Sequence, residues 1–339
     1  MSDIIKIKLT NWNVGRNKQT FRPFLMYANR FNDIGVQFVQ DGSFDYEFIG
    51  MADFLDKSIP LDESISNGLN NLSNKTGDYY LFDGSDSTSL MASYEVLTQS
   101  NAKVLYKNQL LTREQYKTPS AFNKWFFGNG SDLDLSYDIS EYDYDNLLRL
   151  TGWNLGYYNP SYMNFDRLNL NKDIDVCAIY QGHHKENYDH KVRNDLLYTQ
   201  HRVSAWDVID DSKYIVYKDK RPYDEYVNIL RRSKMTLSPY GMGEVCFRDF
   251  EIIQFGSIMI KPDMGNVKTT PNIYIPYETY IPCNYDWSNL NEVIDDVLTN
   301  WDNYKDIPEN ARRVFKNEYS VDKLILHWYN ELKTYNGVA

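Results

Sequence analysis

The sequence predicts an α/β protein of two Rossmann-like domains facing across a cleft, and three observations predict it. The chain has 339 residues, more than one hydrophobic core usually supports, so two domains are expected. Short β-branched or aromatic runs alternate with segments of helical apolar spacing, the pattern of parallel sheets covered by helices. The alternation is interrupted near Thr151–Tyr158 by Gly152, Gly156, Asn159 and Pro160, a breaker-rich stretch that reads as an interdomain linker. The domains expected are therefore residues 1–155 and 156–339, with the last helix free to cross back.

In the first half, Ile4–Thr10 alternates and is β-branched, a strand. Asn11–Lys18 holds Gly15 and polar residues, a loop. Phe21–Phe31 has helical spacing. Val36–Gln40 and Tyr46–Met51 read as strands, Ile65–Leu72 as a helix and Tyr79–Phe82 as a strand ended by Asp83-Gly84-Ser85-Asp86. Ser89–Thr98 is a helix and Ala102–Tyr106 a strand. Residues 112–147 are polar and aromatic without a clean period and read as an irregular insertion.

In the second half, Ile174–Tyr180 reads as a strand and Lys191–Ala205 as a helix. Tyr214–Tyr217 is a strand and Pro222–Ser233 a helix, with Arg231 and Arg232 in its last turn, where the helix dipole favours cations. Met235–Leu237 is a strand, Gly243–Phe255 a helix, and Ile258–Ile260 and Tyr280–Cys283 are strands. Leu290–Asn300 and Val321–Tyr335 are helices.

Composition bounds the partners. Hydrophobic residues make up 42% and charged residues 24%, an ordinary globular balance. The net charge of −11 opposes the counterion-release energy that drives binding to a phosphate backbone. A local basic strip from Lys103, Lys107, Arg113 and Lys117 keeps nucleic acid as an alternative partner. Cys177, Cys246 and Cys283 are odd in number and unpaired in spacing, which gives neither a disulfide framework nor a zinc site and fits reduced thiols. No stretch nears the ~20 apolar residues that span a bilayer, so no membrane partner and a cytoplasmic location are expected. The 29 tyrosines suit carbohydrate and nucleotide surfaces, but an AT-rich genome explains them better, since Asn, Lys, Ile and Asp are also common.

The stretch Ser238–Asp263, SPYGMGEVCFRDFEIIQFGSIMIKPD, carries the chemistry. A strand ends, a loop with Gly241 and Gly243 lets backbone approach a ligand, and a helix begins whose free N–H groups attract anions. Within that expected helix Glu244, Arg248 and Glu251 stand at i, i+4 and i+7 and share one face. Phe247, Phe250 and Ile253 are the apolar counterpart. Arg binds a diphosphate with paired donors, and a carboxylate accepts two sugar hydroxyls. Taken alone the segment also reads as a solvated helix with an i, i+4 ion pair worth ~0.3–0.5 kcal/mol. Gly256 and the strand end Lys261-Pro262-Asp263 favour the ligand reading, because ligands of parallel α/β sheets sit at carboxyl strand ends.

These residues resemble the donor-site signature of GT-B glycosyltransferases, in particular the exostosin-like and CgeB-like branches frequent in phages and large viruses. The resemblance covers about residues 172–335 and is weak over 1–150. It implies a sugar transferase, hexosyl or pentosyl, with an N-terminal acceptor-side domain and a C-terminal domain binding a nucleotide-diphosphate sugar, a UDP-sugar by preference. Glu251 followed by Gly256 matches the second glutamate of the signature and would bind the ribose. Arg248 would hold the diphosphate. Glu244 falls one residue short of the usual glutamate spacing at the donor sugar. Gly241, Gly243 and Lys261 complete the expected donor set. Gly182, His183 and Arg193, on the loop and helix after the domain's first strand, are expected near the phosphates.

On the acceptor side, Asn13, Gly15 and Arg16 fill the first strand-to-helix loop, and Lys107, Asn108 and Gln109 end a strand. Asp83 and Asp86 stand where a base for the acceptor hydroxyl is needed, although turn chemistry explains the same residues. No metal is expected. The Asp-x-Asp pairs Asp132/Asp134, Asp143/Asp145 and Asp173/Asp175 arise readily among 47 acidic residues, and the histidines at 183, 184, 190 and 201 lack ligand spacing. The expected acceptor is a hydroxyl of a glycan or glycoprotein. The alternatives are phage DNA bearing hydroxylated pyrimidines and a non-catalytic sugar-nucleotide-binding module.

Overall fold

The computed structural model describes residues 4–13, 15, 17–52, 59–117, 136–154, 157, 160–165, 167–169, 171–180, 197–241 and 243–335. Its strands are β1 (Ile5–Thr10), β2 (Val36–Val39), β3 (Tyr46–Gly50), β4 (Tyr79–Asp83), β5 (Leu105–Lys107), β6 (Gln109–Leu111), β7 (Leu148–Leu150), β8 (Ile174–Cys177), β9 (Val216–Tyr217), β10 (Ser233–Leu237), β11 (Ile258–Pro262), β12 (Val267–Thr269) and β13 (Ile281–Cys283). The chain divides into two compact units. The first comprises Met1–Tyr158, Val267–Pro271 and Ser320–Ala339; the second comprises Asn159–Asn266 and Asn272–Tyr319.

The first unit holds a sheet in the order β2-β1-β3-β4-β5-β7 and the antiparallel pair β12-β6. The second holds the order β13-β11-β10-β8-β9. Every pairing in the two larger sheets is parallel. Counted within its own sheet, each runs second-first-third-fourth-fifth, and the first unit's sheet adds a sixth strand at the end, a doubly wound order. The Rossmann-like class expected from the alternation of strands and helices is the class observed.

The first unit is held by aromatic packing. Trp328, on the helix Val321–Tyr335, meets Phe24 edge-on at 4.7 Å, and Phe24 meets Trp153 at 4.8 Å. Such pairs add ~0.5–1.5 kcal/mol each beyond the area they bury. Trp328 Nε1 also donates to the Thr151 carbonyl at 2.8 Å. Thr151–Asn154, at the head of the expected linker, is therefore buried structure of this unit. In the second unit Val176, Met235, Leu237, Ile258, Ile260 and Ile281 from four strands pack with Trp287, Leu290 and Ile294.

Several local expectations change. Phe21–Phe31 divides into helices Arg22–Met26 and Ala28–Asp33, because Tyr27 leaves helical geometry at φ −112°. The expected irregular insertion contains helices Arg113–Lys117 and Glu141–Leu147, the latter capped by Ser140, whose hydroxyl accepts from the Asp143 N–H at 3.0 Å. An unassigned stretch is the helix Ile307–Glu318, which buries Ile307, Ala311, Val314 and Phe315 along one face and carries Pro in its first turn. Among the described residues no helix is long and apolar enough to cross a membrane.

Candidate functional site

In a sheet of this order the chain reverses direction between its first and third strands, and the crevice outside their carboxyl ends is where ligands bind. In the second unit those strands are β8 and β10. After β8 come Ala178, Ile179 and Tyr180. After β10 come Ser238–Gly241, Gly243–Cys246 and the helix Phe247–Phe255.

Two guanidinium groups lie beside these loops. Arg248, the second residue of the helix, places its Cζ 5.1 Å from the centre of the Tyr180 ring. Tyr180 stacks on Trp206 at 4.8 Å and 10° and donates its hydroxyl to the Arg202 carbonyl at 3.0 Å. Arg202, on the helix Leu197–Val208, donates Nε to the Tyr240 carbonyl at 3.0 Å. A Cβ at Gly241 would stand 3.0 Å from Arg202 Nη2, so glycine lets the guanidinium lie against the loop. Burial pushes the Tyr180 phenol up, while Arg248 and Arg202 both pull it down. At Cys246 burial raises the thiol, Lys261 lowers it, Asp249 raises it, and the same two arginines lower it. Both cations thus act on side chains from each side of the β8–β10 crevice.

Glu251 follows Arg248 by three residues, on the same helix face. Its Oε2 accepts from the Tyr226 hydroxyl at 2.9 Å, which orients the carboxylate. Burial raises its pKa; the Tyr226 hydrogen bond and Arg248 counter this.

Behind the loop lies a buried hub. Asp249 accepts from Ser238 Oγ at 2.5 Å, the Tyr274 hydroxyl at 2.6 Å, the Cys246 N–H at 3.0 Å and Lys261 Nζ at 3.1 Å. The side chains of Lys261 and Asp249 are both 0% exposed. Lys261, expected at the donor, instead braces the helix start through Asp249.

The start of the helix differs from expectation. Cys246 is extended at φ −119°, ψ 152° and forms a capping box with Asp249, so the helix begins at Phe247 rather than Gly243. Glu244 therefore lies ahead of the helix and off the face shared by Arg248 and Glu251. It is 3% exposed, and its charge raises the phenols of Tyr240 and Tyr285 after the larger effect of burial. Phe247, one of the three apolar positions of this segment, is 47% exposed, whereas Phe250 and Ile253 are buried. Gly241 and Gly243 form a tight loop, with Gly241 N–H donating to the Gly243 carbonyl at 3.0 Å. Gly256 ends the helix at φ +78°, where a Cβ would also stand 2.2 Å from Leu168. The expected donor residues Gly182, His183 and Arg193 lie outside the described residues, as do His184 and Arg16.

In the first unit Asp83 is not placed as a base. Lys107 Nζ donates to it at 2.8 Å and to Ser85 Oγ at 3.1 Å. Burial would raise the Asp83 carboxyl, but Lys107 and the hydrogen bonds of Lys107 and Ser85 outweigh it and hold the pKa at about 2. A group so acidic is a weak proton acceptor near neutral pH. Asp86 is half-buried in the following turn, where its carbonyl accepts from the Gln109 amide. The expected basic strip does not form. Lys107 is fully buried, Lys103 pairs with Asp78 at 3.2 Å, and Arg113 and Lys117 both pair with Glu114. Asn108 and Gln109 are buried too, Asn108 accepting from Thr151 Oγ1 at 3.2 Å. Asn13 and Gly15 are exposed after β1.

Among the Asp-x-Asp pairs, Asp173 binds Arg232 and Asp175 binds Lys234, both as ion pairs. Asp132 and Asp134 lie outside the described residues. Among the described residues no group of three or more His, Cys, Asp or Glu is placed to hold a metal ion. Sequence reasoning passed over Arg202 and Tyr226 and weighed His201 only as a metal ligand. Arg202 follows Arg193 by nine positions in the same expected helical segment, and nothing in its spacing marks it as the one beside the glycine loop.

Residues 176–336 match the family model of the RXYLT1 C-terminal domain, an exostosin-like glycosyltransferase module, over a little under half of the chain. The matched range agrees with the resemblance over about 172–335. A comparison with curated protein sequences finds no match. Among solved structures, an α-glucosyltransferase in complex with UDP and a DNA containing an HMU base is similar at 9% identity, over 97% of this chain and 99% of that one, with a TM-score of 0.44. A glycosyltransferase from Rickettsia africae gives 10%, 98%, 99% and 0.44. Anabaena Alr3699/HepE in complex with UDP-glucose gives 8%, 97%, 100% and 0.45.

Proposed function

We propose that this chain, whose residues 176–336 match an exostosin-like glycosyltransferase module, moves a hexose or pentose from a nucleotide-diphosphate sugar, UDP-linked by preference, to a hydroxyl of a glycan or glycoprotein. The observation that carries the reading is the placement of the Arg248 guanidinium over Tyr180 and of the Arg202 guanidinium against the Tyr240–Gly241 loop, both beside the carboxyl ends of β8 and β10, with Glu251 one turn from Arg248. Two guanidiniums receive the diphosphate as charge-assisted bidentate donors. They stabilise the charge that grows on the leaving nucleotide as the glycosidic bond breaks, the kind of contact whose loss costs about 10²–10³ in rate. Glu251, oriented by Tyr226, accepts the ribose hydroxyls. The hub of Asp249, Lys261, Ser238 and Tyr274 fixes the loop and helix start that carry these groups.

A glycan or glycoprotein acceptor is favoured over DNA because the net charge is −11 and the residues of the expected basic strip are buried or paired with acids. A cytoplasmic setting is consistent with three free, buried cysteines. A phage or viral setting rests on the resemblance alone.

The test is a donor panel. The purified protein is incubated with UDP-glucose, UDP-galactose, UDP-xylose and GDP-mannose, and released nucleotide is measured with and without a hydroxyl acceptor. Release of UDP from at least one donor is expected. Tight UDP binding with no release from any donor would instead identify a non-catalytic binding module.

A further inference from the structure

We propose that His201 reads the transferred sugar: its Nε2 accepts a hydrogen bond from a hydroxyl of the donor's sugar ring. The inference rests on the second unit being the donor site. His201 precedes Arg202 on the helix Leu197–Val208 and stands at the same carboxyl edge of the sheet. Its ring stacks on Tyr285 at 4.6 Å and 10° and on Trp287 at 5.0 Å and 26°, with Tyr240 at 5.5 Å. Trp287 Nε1 donates to the His201 carbonyl at 2.9 Å, so main chain and ring are both held. The residue is 5% exposed, and Nε2 is buried with no hydrogen-bond partner.

The protonation state defines what that nitrogen can do. Burial first, then Lys261 and Arg202, lower the imidazole pKa to about 3, against a hydrogen bond to the Tyr285 main chain that raises it. At neutral pH the ring is therefore neutral and carries one N–H. A contact that raises the pKa is one in which the ring donates to a main-chain carbonyl. That leaves Nε2 as a lone-pair acceptor. A buried acceptor without a donor is costly, and native structures hold few of them.

The chemistry of the missing partner is narrow. An ionised phosphate or carboxylate has no proton to give, so the diphosphate does not satisfy Nε2. A hydroxyl does. In a nucleotide sugar whose ribose is held by Glu251, the remaining hydroxyls belong to the transferred sugar. Glu244, whose charge reaches both Tyr240 and Tyr285, adds a second acceptor beside the same aromatic side chains. The subsite thus pairs acceptors for hydroxyls with arginines for phosphates.

The test compares ligands with and without the sugar. Calorimetry measures UDP, UDP-glucose, UDP-galactose and UDP-xylose on the wild type, and the tightest UDP-sugar is carried into His201→Phe and His201→Asn. The expected result is a UDP affinity unchanged within about twofold in both variants. The UDP-sugar affinity should fall about tenfold in His201→Phe and less in His201→Asn, whose amide oxygen still accepts. Equal losses for UDP and the UDP-sugar would mean a structural role and overturn the proposal. So would an unchanged UDP-sugar affinity in His201→Phe, the outcome if a buried water satisfies Nε2. A wild type that binds no UDP would sink the donor reading itself, a failure distinct from these.

Discussion

Both units bury a lysine–aspartate pair at the carboxyl end of a parallel sheet, and the two pairs have different surroundings. In the first unit Lys107, at the end of β5, meets Asp83 at 2.8 Å among Ser85, Asn108, Gln109 and Thr151. In the second, Lys261 on β11 meets Asp249 at 3.1 Å, and Asp249 in turn holds the first turn of a helix that carries Arg248 and Glu251. The first pair closes a strand end with amides and hydroxyls. The second is a foundation, with the Arg248 guanidinium proposed to bind the donor mounted one residue away. A buried ion pair is therefore not itself the mark of a site; what is attached to its acid is.

The largest expected effect tests that shared feature. Lys261→Met or Lys107→Met leaves a carboxylate buried without its partner, and each should cost about 3–5 kcal/mol in denaturant unfolding. Only Lys261→Met should also weaken UDP binding, since only its partner holds the helix start. Equal effects on UDP binding would erase the distinction between the two pairs.

Next in size is Arg248→Lys. Exchanging a planar fork for a point charge should slow turnover by about 10²–10³ while the melting temperature stays near that of the wild type. Normal turnover would make Arg248 a packing residue over Tyr180.

Third, Glu251 should act only when ionised. Burial sets its pKa above the ordinary carboxylate value, so UDP affinity should decline on acidification sooner than an exposed carboxylate would allow. Glu251→Ala should bind UDP more weakly and lose that part of the pH dependence. The reverse sign, tighter binding at acid pH, would contradict a carboxylate accepting ribose hydroxyls.

The smallest effect belongs to Asp83, whose folded pKa of about 2 lies below the ordinary aspartate value. A depressed carboxyl stabilises the fold above its unfolded pKa and loses that contribution as pH falls through the folded one. Roughly 2 kcal/mol of stability should disappear between about pH 4 and pH 2. Asp83→Asn should flatten the unfolding curve in that interval.

Much of the architecture was legible because parallel sheets write themselves as apolar runs separated by helical spacing. The segment Ser238–Asp263 was recognisable because glycines, Arg248, Glu251 and Gly256 fall at informative spacings. Three features were hidden. The helix start moved to Phe247 because a cysteine, a residue type that seldom signals a cap, pairs with Asp249. The burial of Lys107 and Lys261 depends on partners more than ten positions away in sequence, which periodicity does not report. Arg202 and His201 gain their meaning from residues after β10 and β13, so no local pattern marks them. The two acidic residues expected to bracket Arg248 separated for a related reason: Glu244 belongs to the loop, and only Glu251 to the helix.

The central claim is that Arg248 and Arg202 together receive a diphosphate. Calorimetric titration of UDP and of uridine into the wild type, Arg248→Met, Arg202→Met and the double variant addresses it directly. The predicted result is a UDP affinity at least about tenfold weaker in each single variant, with uridine affinity unchanged throughout. UDP binding that survives the double variant at wild-type strength would contradict it.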